Sequence, residues 1–136
     1  MTTIADIRTD LQSVLSNVDG WTCESGYIGD QIHDYSFKIA RGSFDPRYVF
    51  DESKRRVVFN VTAYAPRAEA EASEAALDLL AEPSGAGSII ETVQDGTLWS
   101  VTVDFAQVIQ CGEVTLVQWA DNIEYLACQF QIEVVW

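Results

Sequence analysis

Lys54-Arg55-Arg56-Val57-Val58-Phe59-Asn60-Val61-Thr62-Ala63-Tyr64 is the stretch whose reading decides the fold. Val57, Phe59, Val61 and Ala63 fall on one face of an extended chain, and Val58, Asn60, Thr62 and Tyr64 on the other. β-branched and aromatic residues suit a pleated, half-buried surface, so the run predicts a strand that Pro66 ends. From Ala68 the composition turns to Ala, Glu and Leu, and Ala72, Ala76, Leu79 and Leu80 recur at helical spacing as one narrow apolar stripe. Pro83 stops that helix, and Ser84-Gly85-Ala86-Gly87 makes a corner. Ser88 with Glu91 three residues later predicts a capping box, with Ile89, Ile90 and Val93 facing inward. Strand, helix and short capped helix together form a covering unit for a sheet.

Upstream, Thr3–Val18 carries Ile4, Ile7, Leu11, Val14, Leu15 and Val18, an amphipathic helix pattern. Thr3 can cap it, and Asp6 and Asp10 lie toward the positive end of its dipole. Trp21–Tyr27 reads as a weak strand interrupted by Gly26. Asp34–Arg41 alternates more cleanly and reads as the partner of Lys54–Tyr64, with Gly42–Glu52 as a long hairpin loop or a projecting arm. Downstream, Trp99–Phe105 and Leu126–Trp136 alternate as half-buried strands with one wet face. Val114–Val117 reads as a shorter strand and Asp121-Asn122 as a turn. The predicted class is α+β, a mostly antiparallel sheet of about four to five strands with helices packed on one face. The 136 residues form one domain, 1–136, long enough to bury a core without staples.

Charge is the least ordinary property. A formal charge of −13 repels phosphate and anionic lipid, which disfavours electrostatic binding to nucleic acid or membrane. Yet seven of the eight Lys and Arg residues lie within Lys38–Arg67: Lys38, Arg41, Arg47, Lys54, Arg55, Arg56 and Arg67. Against them stand only Asp45, Asp51 and Glu52, so the segment is locally +4 within an acidic chain. Its bland reading is a solvated strand start whose cations guard a sheet edge. The sharper one is docking on a complementary acidic surface.

Cys23, Cys111 and Cys128 are odd in number and widely spaced, which argues against a disulfide framework. No long apolar run is present: Val57–Pro66 is the longest stretch free of Asp, Glu, Lys and Arg, far short of a bilayer. Asp6 and Asp10 stand where a signal peptide would be apolar. These features lead to the expectation of a soluble intracellular protein.

Catalytic signals are weak. His33 is the only histidine, within Asp30-Gln31-Ile32-His33-Asp34. A carboxylate beside an imidazole can serve as a general base or metal site, but a solvated turn is the ordinary reading. No second histidine completes a zinc or iron set. Gly85-Ala86-Gly87-Ser88 resembles a phosphate cradle in outline and lacks the P-loop lysine. Trp99, Trp119, Trp136 and Tyr125 lack the basic groove of a base-stacking platform and read as core and interface residues. No enzymatic activity, cofactor or metal is therefore expected.

The succession Arg56-Val57-Val58-Phe59-Asn60-Val61-Thr62, Ala70–Leu80, Gly87-Ser88-Ile89-Ile90-Glu91, and finally Tyr125–Val134 after the Cys111-Gly112 turn resembles bacteriophage tail terminator proteins. The likeness is to those of long, non-contractile tails. It covers nearly the whole chain as a pattern of elements, departing at Trp21–Asp34 and Gly42–Glu52. The resemblance implies a ring, usually hexameric, that sits on the last ring of the major tail tube protein. It implies that the ring stops tube polymerisation, meets the head-completion or connector protein, and lets DNA pass without specific binding. The implied location is the neck of the virion, after assembly in the host cytoplasm. On that expectation, Arg41, Arg47, Lys54, Arg55 and Arg56 dock on the tube or on a neighbour's Glu69, Glu71 and Glu74. A neck or head-completion protein is the near alternative. A small ligand-binding module or enzyme using His33 with Asp30 or Asp34 is the more distant one.

Overall fold

A computed structural model describes residues 2–23, 34–46, 54–118 and 123–136. Helix α1 (Ile4–Leu15) leads into strand β1 (Ser36–Asp45) and strand β2 (Arg56–Pro66). Helices α2 (Ala70–Leu80) and α3 (Ile89–Gln94) follow, then strands β3 (Phe105–Gln118) and β4 (Glu124–Val135). Single 3-10 turns at Arg67–Glu69 and Gly96–Leu98 join the helices to their neighbours. The four strands form one sheet in the order β1-β2-β4-β3, every pairing antiparallel. The fold is α+β.

The decisive stretch behaves as its alternation dictates. In β2, Val57, Phe59, Val61, Ala63 and Ala65 are completely buried beneath the helices. Their partners across β4 are Val134, Ile132, Phe130, Cys128 and Leu126, so two apolar rows interlock on one face of the sheet. Ile7, Leu11, Val14 and Leu15 of α1 close the core with Leu77 and Leu80 of α2 and Ile89 and Val93 of α3. Thr3 closes a full capping box: its hydroxyl accepts from Asp6 N at 3.2 Å, and Asp6 accepts from Thr3 N at 2.8 Å.

Several expectations are corrected. The inward stripe of α2 is Ser73, Leu77 and Leu80 with Ala76 at its margin, while Ala72 and Leu79 face solvent. A serine sits inside because its hydroxyl donates to Pro66 O at 2.7 Å, which satisfies it without water. The second capping box is only half closed. Ser88 Oγ accepts from Glu91 N at 3.2 Å, but Ser88 N already donates to Gly85 O, so the Glu91 carboxylate takes Gly85 N instead. Gly85, at φ +114°, supplies the left-handed corner there.

Trp99–Asp104 is not a strand. Buried Asp10, expected to favour the helix dipole, instead accepts from Ser100 N at 2.9 Å and Val101 N at 3.2 Å, and also holds the Ser100 hydroxyl. Those amides are thereby lost to any ladder, and Trp99 folds inward to donate Nε1 to Val93 O at 3.0 Å. The chain joins the sheet only at Phe105, and the short strand expected at Val114–Val117 is the far half of the 14-residue β3. The wet face expected for β4 is largely dry, because Tyr125, Ala127, Glu133 and Val135 are buried at the centre of the sheet. Of the Trp21–Tyr27 strand, one parallel bridge, Thr22 to Ser36, is present, and the remainder lies outside the described residues. Gly42–Asp45 continues β1, past a register shift between Arg41 and Phe44, instead of opening a loop, and Asp121-Asn122 and the rest of the arm from Arg47 lie outside the described residues.

Candidate assembly surface

β2 carries opposite charge near its two ends. At its start Arg55 continues the ladder beyond Arg56, donating from N to Trp136 O at 2.8 Å and accepting from Trp136 N at 3.0 Å. Lys54 reaches Asp104 at 2.7 Å. Arg56 spans three strands, meeting Asp45 of β1 at 3.2 Å and donating Nε to buried Glu133 of β4. Gln107 of β3 donates to the other Glu133 oxygen at 2.9 Å, so one polar row crosses the whole sheet. Burial alone would raise the Glu133 pKa, but the Arg56 guanidinium and the Gln107 amide outweigh it and hold the carboxylate below its ordinary value. Glu133 and Asp45 in turn raise the pKa of Arg56.

The basic segment is thus partly neutralised within its own chain. Lys54, Arg56 and Arg67 each face a carboxylate, the last meeting Glu124 at 2.5 Å. Arg41 and Arg55 pair with no carboxylate among the described residues, and Arg41 is exposed. With half-buried Lys38, which likewise pairs with no carboxylate among the described residues, these are the cations of the segment left for a partner. Arg47 lies outside the described residues.

The acidic candidates sit at the opposite end. Ten residue steps of extended chain separate Arg56 from Pro66, about 33 Å at strand rise. Beyond Pro66, Glu69 accepts from the Tyr35 hydroxyl at 3.1 Å, and Glu71 and Glu74 are exposed on the first half of α2. Within one chain the basic and acidic candidates therefore do not meet.

A third feature had no signal in local charge. β3 ends the sheet, and past α3 its residues 109–116 are all exposed. Ile109, Val114 and Leu116 are 42%, 40% and 54% accessible, a run of large apolar side chains on a strand rim. A sequence clue existed in the apolar residues on both faces of the run, which a one-sided strand does not need. Within it, Gly112 is required by close approach: a Cβ there would lie 2.8 Å from Gln129 O.

The remaining chemistry is sparse. His33 and Asp30 lie outside the described residues, and Asp34 is exposed. Cys23 and Cys128 are buried and Cys111 is exposed. Burial pushes the Cys128 thiol up to about 11 and also raises Cys111, so neither is poised as a thiolate. A cleft of about 320 Å³ lies between α2 and the start of the chain to β1, lined by Asp19, Trp21, Tyr35, Ala76 and Leu79. Trp99 and Tyr125 are core residues, and Trp136 stacks on Phe44 with ring centroids 6.3 Å apart. No helix among the described residues is long and apolar enough to cross a membrane, and no cluster of His, Cys, Asp and Glu among them could hold a metal. No protein-family model matches the chain, and no curated protein matches it.

Proposed function

We propose that this chain is a structural virion protein. It forms a ring that caps the head-proximal end of a phage tail tube, ends tube polymerisation and joins the tail to the head connector. The observation that carries the reading is the separation of charge along the strands, with Arg41 and Arg55 toward one end and Glu71 and Glu74 at the other. A cyclic ring whose axis runs with the strands then has one rim that presents cations and one that presents carboxylates. Such a ring suits stacking between two different partners, the tube on one side and the connector on the other. The exposed flank of β3 supplies lateral surface for neighbouring copies.

The docking test follows from the ion pairs. Arg56 is committed to Asp45 and Glu133, so reversing it damages the fold as well as any docking. The informative variant is Arg41→Glu with Arg55→Glu. Purified wild-type protein should form closed rings with an open centre in negative-stain images and should shorten tubes when mixed with tube protein. The double variant should stay folded and fail to cap. Normal capping by it would remove the docking scheme. In an infection lacking the protein, overlong headless tails fit a terminator, whereas filled tailless heads would replace this reading with head completion.

A further inference from the structure

The sheet has two rims, β3 on one side and β1 on the other. The chain after α1 covers only the start of β1, where Thr22 bridges Ser36 and Phe37 N donates to Thr22 O at 2.9 Å. From Lys38 onward, no strand among the described residues lies outside β1. All three pairings within the sheet are antiparallel, so the two rims run in opposite directions. A second copy set beside the first in the same orientation therefore brings its β1 against β3 as an antiparallel partner. An odd number of strands would have made that contact parallel.

The strand registers fix what meets at equal height. Lys38 pairs with Thr62, and Thr62 pairs with Gln129. Gln129 lies between the Cys111–Phe130 and Val114–Cys128 pairings, which places it opposite the Gly112-Glu113 bulge. Lys38 of one rim and Glu113 of the other are thus level. Glu113 is exposed and Lys38 half-buried. Neither forms an ion pair with a described residue of its own chain.

The geometry points to a second copy of this chain as the occupant of the β3 rim, held by an antiparallel β1–β3 ladder in which Lys38 faces Glu113. The inference rests on the ring-forming reading and names its lateral contact. The ladder runs Lys38–Asp45 of one copy against Phe105–Glu113 of the next, satisfies the unpaired backbone there and covers Ile109, while Val114 and Leu116, level with Phe37 and Tyr35, meet the neighbour's chain at Thr22. Glu113 gives the rim selectivity: a bare apolar edge accepts any strand, whereas a carboxylate at the bulge favours an edge that brings a cation to the same height. The contact is heterologous, because each copy uses β1 on one side and β3 on the other, and such contacts close into rings when the rotation permits.

Charge exchange tests it. Lys38→Glu and Glu113→Lys each place like charges across every contact, and each should move the association midpoint to higher concentration by on the order of tenfold. An equimolar mixture of the two variants can alternate so that every contact is matched, and the double variant matches itself. Both should recover wild-type association by light scattering over a concentration series. Circular dichroism checks folding, with Lys38→Gln and Glu113→Gln as substitutes for a variant that unfolds. Single variants that associate like wild type would overturn the pairing, as would a mixture no better than its components or a wild-type chain that stays monomeric throughout. Matched assemblies that fail to cap tubes would keep the pairing and remove the capping function. Capping without complementation would do the reverse.

Discussion

β3 and β4 are hydrogen-bonded neighbours with similar alternation, yet they live in different environments. Leu116 of β3 and Leu126 of β4 are register partners, and the first is 54% exposed while the second is 8% exposed. Among the described residues, β4 has a strand on each side and α2 over part of its length, whereas β3 has one neighbour and loses its helix cover past α3. Residue type therefore does not set burial here; place in the sheet does. Apolar side chains at the centre hold the monomer together, and those at the rim contribute little until something covers them.

The largest effects should come from β4. Phe130 is fully buried, and Phe130→Ala should cost about 4 kcal/mol in urea unfolding through lost transfer energy and an unfilled cavity. Leu126→Ala should cost about 2–3 kcal/mol on the same reasoning. If either were as mild as a surface change, the contrast between centre and rim would be false.

Next comes the polar row that ties both kinds of strand together. Arg56→Met leaves the Glu133 carboxylate buried beside Gln107 alone and should cost about 3 kcal/mol. The same pair sets an acid limb. Glu133 has a folded pKa below the ordinary carboxylate value of 4.5, so its stabilisation is fully present above about that pH and is lost as pH falls through the lower folded value. In a pH series, Glu133→Gln should flatten the decline in melting temperature below pH 4.5. An unchanged acid limb would mean that the row contributes nothing. A smaller loss, about 2 kcal/mol, should follow Asp10→Ala, which strands the Ser100 and Val101 amides without their acceptor.

These particulars mark what the sequence could convey. The β2 alternation, its pairing with β1, the α1 face and the helix-on-sheet layering were all legible, because each depends on a period local to one element. Trp99–Asp104 misled because its alternation is real while its amides are captured by Asp10, a partner 90 residues away. The α2 stripe shifted because a hydrogen-bonded serine can be as buried as a leucine. Among the candidate site residues, the cluster of cations was plain, but which were already spent could not be read: Arg56 meets Glu133 across 77 residues. The exposed rim of β3 was hidden for the same reason, since strand order is a global property.

The smallest expected effect on the monomer is the most discriminating. Leu116→Ala removes as many atoms as Leu126→Ala from the other half of one cross-strand pair. On an exposed rim it should change unfolding of the dilute chain by no more than about 0.5 kcal/mol. In the same protein at concentrations where rings form, the variant should associate more weakly, because the side chain it lacks is one that a neighbour would cover. The two leucines then separate folding from assembly: one moves the unfolding midpoint, the other the association midpoint. A Leu116→Ala chain that unfolds as readily as Leu126→Ala would show that the β3 rim is part of the monomer's own core. One that changes neither midpoint would show that the exposed apolar run is not used for contact between copies.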